Sequence, residues 1–124
     1  MILNLTHLSN ISLQEQIYQQ IRSMILSGDL QTNSLLPSIR KLARDGKVSV
    51  ITVQRAYELL EKEGLIISHR GKGFFVNKLD TRKKKILVKK RIIEKIEPAI
   101  NTAINEGIEK KELMEIIKKI LDEA

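Results

Sequence analysis

The sequence predicts a mostly α-helical fold with one small β-hairpin: three helices closed by the hairpin, then a helical tail. Three observations predict it. Apolar residues recur with a 3.6-residue period in segments ending near Lys62, and the period then changes to two short apolar runs around a glycine-containing turn at 65–76. From Asp80 onward the composition shifts to helix formers, with no turn cluster until Asn105-Glu106-Gly107. The 124 residues are one domain's worth of chain with a short appendage.

The first helix should begin after Ser12. A serine cap followed three residues later by Glu15 can satisfy two free backbone N–H groups. Leu13, Ile17, Ile21, Met24 and Ile25, with Tyr18 alongside, then make one apolar face that ends near Ser27-Gly28-Asp29. Gln31 to Ser34 reads as a polar loop, and Pro37 as a helix-start proline ahead of a short second helix, Ser38 to Arg44. Asp45-Gly46-Lys47 supplies a turn in which Gly46 can take a positive φ.

The third helix, about Val50 to Lys62, is the most informative. With each residue advancing 100°, Ala56, Tyr57 and Leu60 fall within about 60° of Val53 and form the inward face. Ile51, Arg55, Glu58 and Lys62 lie opposite, flanked by Thr52 and Gln54. The first two turns therefore present Ile51, Thr52, Gln54 and Arg55, and the acids Glu58 and Glu61 come only later. The hairpin follows, with Leu65-Ile66-Ile67 and Phe74-Phe75-Val76 as strands and His69-Arg70-Gly71-Lys72-Gly73 as a cationic tip.

In the tail, Ile86, Ile93 and Ile100 are spaced by seven, as are Ile96 and Ala103, the pattern of a helix packed along another. Pro98 falls between them and should kink the helix or split it. A last amphipathic helix carries Leu113, Ile116, Ile117, Ile120 and Leu121. The dense basic run 82–91 has three readings: a solvated face, extra phosphate contacts, or a membrane-surface helix. The first two are favoured, because membrane helices of this kind usually carry aromatic anchors.

Composition removes several chemistries. Without cysteine there are no disulfides or thiolate metal sites, and two distant histidines, His7 and His69, make a metal cluster or a serine–histidine pair improbable. Neither a bilayer-length apolar stretch nor a signal-peptide pattern is present, so the expected compartment is the cytoplasm, with no membrane partner. No paired carboxylates or phosphate-cradling glycine loop suggest an enzyme or a cofactor; none is expected. The positive balance, 22 Lys and Arg against 15 Asp and Glu, is the footprint of a polyanion binder.

Helix, short helix, tight turn, helix and hairpin in that order make a winged helix-turn-helix, whose second motif helix enters the DNA major groove while the wing touches backbone or minor groove. The blocks Leu36-Pro37-Ser38-Ile39-Arg40-Lys41-Leu42-Ala43, Val48 to Ile66, and Arg70-Gly71-Lys72-Gly73-Phe74-Phe75-Val76 resemble the DNA-binding domain of the GntR family of bacterial transcription regulators. The short helical tail is similar to the YtrA-type branch. There, the resemblance implies, tails serve dimerisation and members commonly repress operons containing ABC-transporter genes. The domains expected are 10–77, winged helix-turn-helix, and 80–124, a helical dimerisation tail.

The resemblance places Arg40 at the DNA interface, Ser49 to Thr52 at the start of the recognition helix, and Arg70-Gly71-Lys72-Gly73 at the wing tip. Many relatives carry arginine where this chain has Val50, and several where it has Gln54, which implies a different operator. Ile51 is available to a thymine methyl, Gln54 to adenine and Arg55 to guanine or phosphate. The DNA-binding candidates are thus Ser38, Arg40, Ser49, Val50, Ile51, Thr52, Gln54, Arg55, His69, Arg70, Gly71, Lys72 and Gly73. Thr52 has an alternative role as a cap, and Tyr57 is read as core.

Ile86, Ile93, Ile96, Ile100, Ile104, Leu113, Ile116, Ile117 and Ile120 are the dimerisation candidates, since a tail this short lacks cover for them within one chain. The expected partners are double-stranded DNA, a second copy, and an effector of unknown identity lodged between subunits or between tail and winged domain. The competing reading is a winged-helix protein-interaction module with an acidic protein partner.

Overall fold

The computed structural model describes all residues, Met1 to Ala124. Its elements are α1 (Leu13–Ser27), α2 (Ile39–Gly46), α3 (Val50–Lys62), β1 (Ile66–His69), β2 (Gly73–Val76), α4 (Thr81–Asn105) and α5 (Lys110–Glu123). The chain divides into two compact units, Met1–Asp80 and Thr81–Ala124.

The first unit is built on the apolar faces read from the sequence. Ile17, Ile21 and Ile25 of α1 meet Val53, Ala56, Tyr57 and Leu60 of α3 in a core that Leu36, Leu42, Leu65, Ile66 and Val76 complete. Each helix starts where a serine can cap it: Ser12, Ser38 and Ser49 accept, through their side chains, the N–H of Glu15, Lys41 and Thr52. Tyr57, fully buried, donates its hydroxyl to the carbonyl of Pro37 at 2.7 Å and meets Phe74 edge-on. That bond ties α3 to the start of α2, and burial pushes the phenol's pKa well above its ordinary 10.0. At the far end of α3, Glu63 accepts the hydroxyl of Tyr18 and lies 3.6 Å from the Arg22 guanidinium, joining α1 to the α3 C-cap.

Three local expectations are corrected. Pro37 is not the first helical residue: Ser38 is the cap and the helix begins at Ile39, leaving the Pro37 carbonyl for Tyr57. The positive φ of the turn falls on Lys47 (53°), not on Gly46, which closes α2. Gly46 answers a packing demand instead, since a Cβ there would stand 3.1 Å from Leu5 Cδ1. The polar loop before α2 is also more ordered than its composition suggests. Asn33 donates to Val76, Val76 to Ser34 and Leu36 to Phe74, so this segment pairs along β2, with Leu35 opposite Phe75.

A further contact was not legible in the sequence. Gln20 accepts from the N–H of Asn4 and donates to its carbonyl, both at 2.8 Å, and Gln16 does the same to Thr6 at 2.9 Å while also donating to Ile11. Glutamines four apart on a helix are spaced about 6 Å, close to the roughly 6.7 Å between alternate residues of an extended chain. Two side-chain amides thus serve the N-terminal segment as a neighbouring strand would.

In the second unit α4 runs unbroken for 25 residues with Pro98 inside it. It ends in a glycine cap: Gly107 takes φ 99°, its N–H reaches Ile104, and that of Ile108 reaches Ala103. Neither α4 nor α5 has a single buried residue.

Candidate nucleic-acid interface

The helix-turn-helix is α2, the turn at Lys47, and α3. Its turn is closed by two bonds, Lys47 N–H to Arg44 and Val48 N–H to Ala43. Because Val53, Ala56, Tyr57 and Leu60 are consumed by the core, the opposite face of α3 is left to solvent. Ile51 is 55% exposed, Val50, Gln54 and Arg55 are exposed beside it, and Ser49 stands exposed at the cap. An isoleucine held in water at the start of a helix costs apolar hydration, and the surface of a partner would remove that cost.

The polar groups of this face differ in readiness. Ser49 Oγ lies 2.7 Å from Thr52 Oγ1 and accepts the Thr52 N–H, so the two hydroxyls form a local cap and Thr52 is only half exposed. Gln54 donates to Glu58 at 3.3 Å, a long bond that one rotamer change would release toward a base. Arg55 has no acidic partner and its guanidinium is available to a phosphate or a guanine. On α2, Arg40 is likewise exposed and unpaired, while the neighbouring Lys41 is held 2.9 Å from Asp45. The same Lys41 hydrogen bond keeps the Asp45 carboxyl below its ordinary pKa. Ser38 Oγ is engaged with the Lys41 N–H at 3.1 Å, which makes it first a cap.

The wing pairs Ile66 with Val76, Ile67 with Phe75, Ser68 with Phe74 and His69 with Gly73. The tip is shorter than the sequence suggests: His69 and Gly73 belong to the strands, and only Arg70, Gly71 and Lys72 form the turn. Lys72 N–H closes it onto the His69 carbonyl at 2.9 Å, with Gly71 at φ 76°, a conformation that side chains adopt only under strain. Arg70 and Lys72 are exposed on either side. His69 is not at the tip's end but stacks edge-on against Phe75, their rings 5.0 Å apart. Leu35 is a further part of this wing that its polar surroundings in the sequence do not announce. It is 61% exposed, faces Phe75 across the third segment, and has its Cδ1 3.3 Å from where a Gly73 Cβ would stand. The only signal was an apolar pair, Leu35-Leu36, inside an otherwise polar stretch.

Serine-capped helices, a tight turn, an exposed second helix and a cationic three-residue wing define a winged helix-turn-helix DNA-binding protein. Residues 13–76 match the family model described as bacterial regulatory proteins, gntR family, so the chain belongs to the GntR family of transcription regulators. It is 35% identical over 115 residues to the HTH-type transcriptional repressor YtrA of Bacillus subtilis, covering 90% of this chain and 86% of that one. Among solved structures it resembles a GntR family transcriptional regulator from Listeria monocytogenes, with TM-score 0.71, 29% identity, and 90% and 96% of the two chains covered. YtrA from Sulfolobus acidocaldarius, a GntR-family transcription factor, aligns over 98% of this chain and 97% of its own with TM-score 0.60 and 27% identity. The likeness to both YtrA proteins extends through the helical tail.

Proposed function

We propose that this regulator is a homodimeric repressor that occupies a two-fold-symmetric operator and blocks transcription by occlusion. One observation carries the dimer: no apolar residue of the tail is buried, and many are largely exposed, Ile93 at 58%, Ile120 at 62% and Leu121 at 68% among them, with Ile100, Leu113 and Ile117 half-buried. A contiguous apolar face of this kind is stable in water only when covered, and a second copy supplies an identical face. Ile93, Ile96, Ile100 and Ile104 on α4 and Leu113, Ile116, Ile117 and Ile120 on α5 form this surface in our reading, and Ile86, set among the cations that open α4, lies outside it. Repression takes support from the likeness to YtrA of Bacillus subtilis, named as a repressor. Control of a transporter operon, release by a small ligand lodged between subunits, and action in the cytoplasm belong to the same reading.

In this assignment Arg40, Arg55, Arg70 and Lys72 with the capped helix starts at Ser38 and Ser49 attract phosphates, and Val50, Ile51, Thr52 and Gln54 choose the sequence. Gly71 and Gly73 let the wing backbone approach, with His69 bracing it from Phe75. The test is selection of bound duplexes from a random pool, followed by a salt series. An inverted repeat bound at about 10⁻⁸ M or tighter supports the proposal, as does a slope of log K against log salt of roughly −5 to −9, for about three to five phosphates per subunit. Salt-sensitive binding with no sequence enrichment would overturn it.

A further inference from the structure

The tail's charge is distributed in a way the dimer does not use. The first 80 residues hold ten Lys and Arg against seven acids, residues 82–91 hold seven cations and no acid, and residues 92–124 hold five cations against eight acids. The protein's net +7 is therefore matched by one ten-residue stretch.

That stretch is the N-terminal part of α4, where it is electrostatically misplaced. A helix N-terminus carries positive partial charge and favours acids, yet the first turn of α4 has none and Asp80, just ahead of Thr81, is the one acid beside seven cations. Cations at Arg82, Lys85 and Lys89 follow one another at spacings of three and four, and each such like-charge pair disfavours the free helix by a few tenths of a kcal/mol. All three are exposed and line a shallow concavity with Thr81 and Ile86. They also lie within about 60° of the azimuth of Ile100, on the same face as Ile93 and Ile96. The apolar face of α4 thus becomes cationic before Ile93, so a two-fold seam that ran through Ile86 would bring like charges toward each other or leave them buried.

We propose that the first two to three turns of α4, through Arg82, Lys85 and Lys89, form a second contact with the DNA backbone, separate from the helix-turn-helix and the wing, and that the dimer seam begins at Ile93. The inference rests on the DNA-binding reading. A duplex is the polyanion this protein meets, and phosphates would offset the repulsion built into the free helix. Chain connectivity keeps these cations with the bound domain: Leu79 is buried in the winged unit, and Thr81 follows it by two residues, at most about 7 Å of chain. An acidic helix of a partner subunit fits less well, because residues 92–124 carry only three acids in excess of their own cations, against the seven cations of 82–91. A lipid surface fits less well still, since all four aromatic residues, Tyr18, Tyr57, Phe74 and Phe75, lie in the winged unit.

The experiment uses the full chain and a 40-base-pair duplex of arbitrary sequence, because phosphate contacts need no operator. Arg82→Gln/Lys85→Gln/Lys89→Gln is compared with Lys111→Gln/Lys118→Gln/Lys119→Gln, which removes the same charge from α5. Affinity is measured from 50 to 200 mM salt, with sedimentation and circular dichroism alongside. The expected result is a salt slope shallower by about 2–5 per dimer for the α4 variant, at about 0.9 per phosphate, with the α5 variant unchanged. Helicity and dimer size should be kept. Equal slopes in all three proteins would overturn the proposal, as would equal losses in both variants. A weakened dimer with an unchanged slope would assign the cations to the partner's acidic tail instead. If the unaltered chain bound no duplex, the DNA reading itself would fail.

Discussion

Tyr57 joins stability to the interface in a single side chain. Its ring fills the core and its hydroxyl sets the Pro37 carbonyl just ahead of the Ser38 cap, so the start of α2 is fixed from inside α3. Tyr57→Phe should cost about 1–2 kcal/mol in urea unfolding, because it strands that carbonyl. The same phenol gives a pH signature. Its folded pKa is raised by burial, so the contribution is fully present below the unfolded value of about 10 and is lost as pH rises beyond it. Stability measured from pH 9 to 11 should fall in the parent with a component that Tyr57→Phe removes. Arg40→Ala should leave both stability and dimer unchanged while weakening DNA binding by about 1–3 kcal/mol, since the exposed side chain supports nothing in its own domain. Titration with the selected duplex checks it, and an unchanged affinity would take Arg40 out of the interface.

At the scale of elements, much was legible because caps and periods are local. Ser12, Ser38 and Ser49 mark three helix starts in the sequence and cap those helices in the structure. What was not legible depended on partners distant in the chain. Gln16 reads as a surface helix residue, yet it is buried with three bonds to Thr6 and Ile11. Leu35 reads as loop because nothing near it announces β2 as its neighbour. Gln16→Ala should release the N-terminal segment, seen as faster amide exchange at Thr6 with a loss of about 1–3 kcal/mol. Exchange that stays slow would mean the segment is held by other contacts, Leu5 against Gly46 among them.

For the whole molecule, the division of surface follows from what each unit can bury. The winged unit closes a core around Ile17, Val53, Tyr57 and Leu60, whereas α4 and α5 bury no residue at all. Covering the tail therefore requires something beyond its own two helices, and a second copy is the proposal. Ile93→Glu should dissociate the dimer, because a buried unpaired carboxylate at an apolar seam is strongly unfavourable. Sedimentation showing an intact dimer would remove Ile93 from the seam. Loss of the dimer should in turn steepen the protein-concentration dependence of operator binding.

The sequence by itself determined the element order, the inward face of α3, the capped helix starts, the cationic wing and the family, because each depends on residues within a few turns of one another or on an ordered motif. Only the tertiary structure decided that Gly46 is kept small by Leu5, that the positive φ passes to Lys47, that Leu35 joins the wing, and that α4 continues through Pro98. The physical reason is plain for Gly46 and Leu35, which meet segments distant in the chain. Local propensity states which conformations a residue tolerates, and the packing of distant segments selects among them.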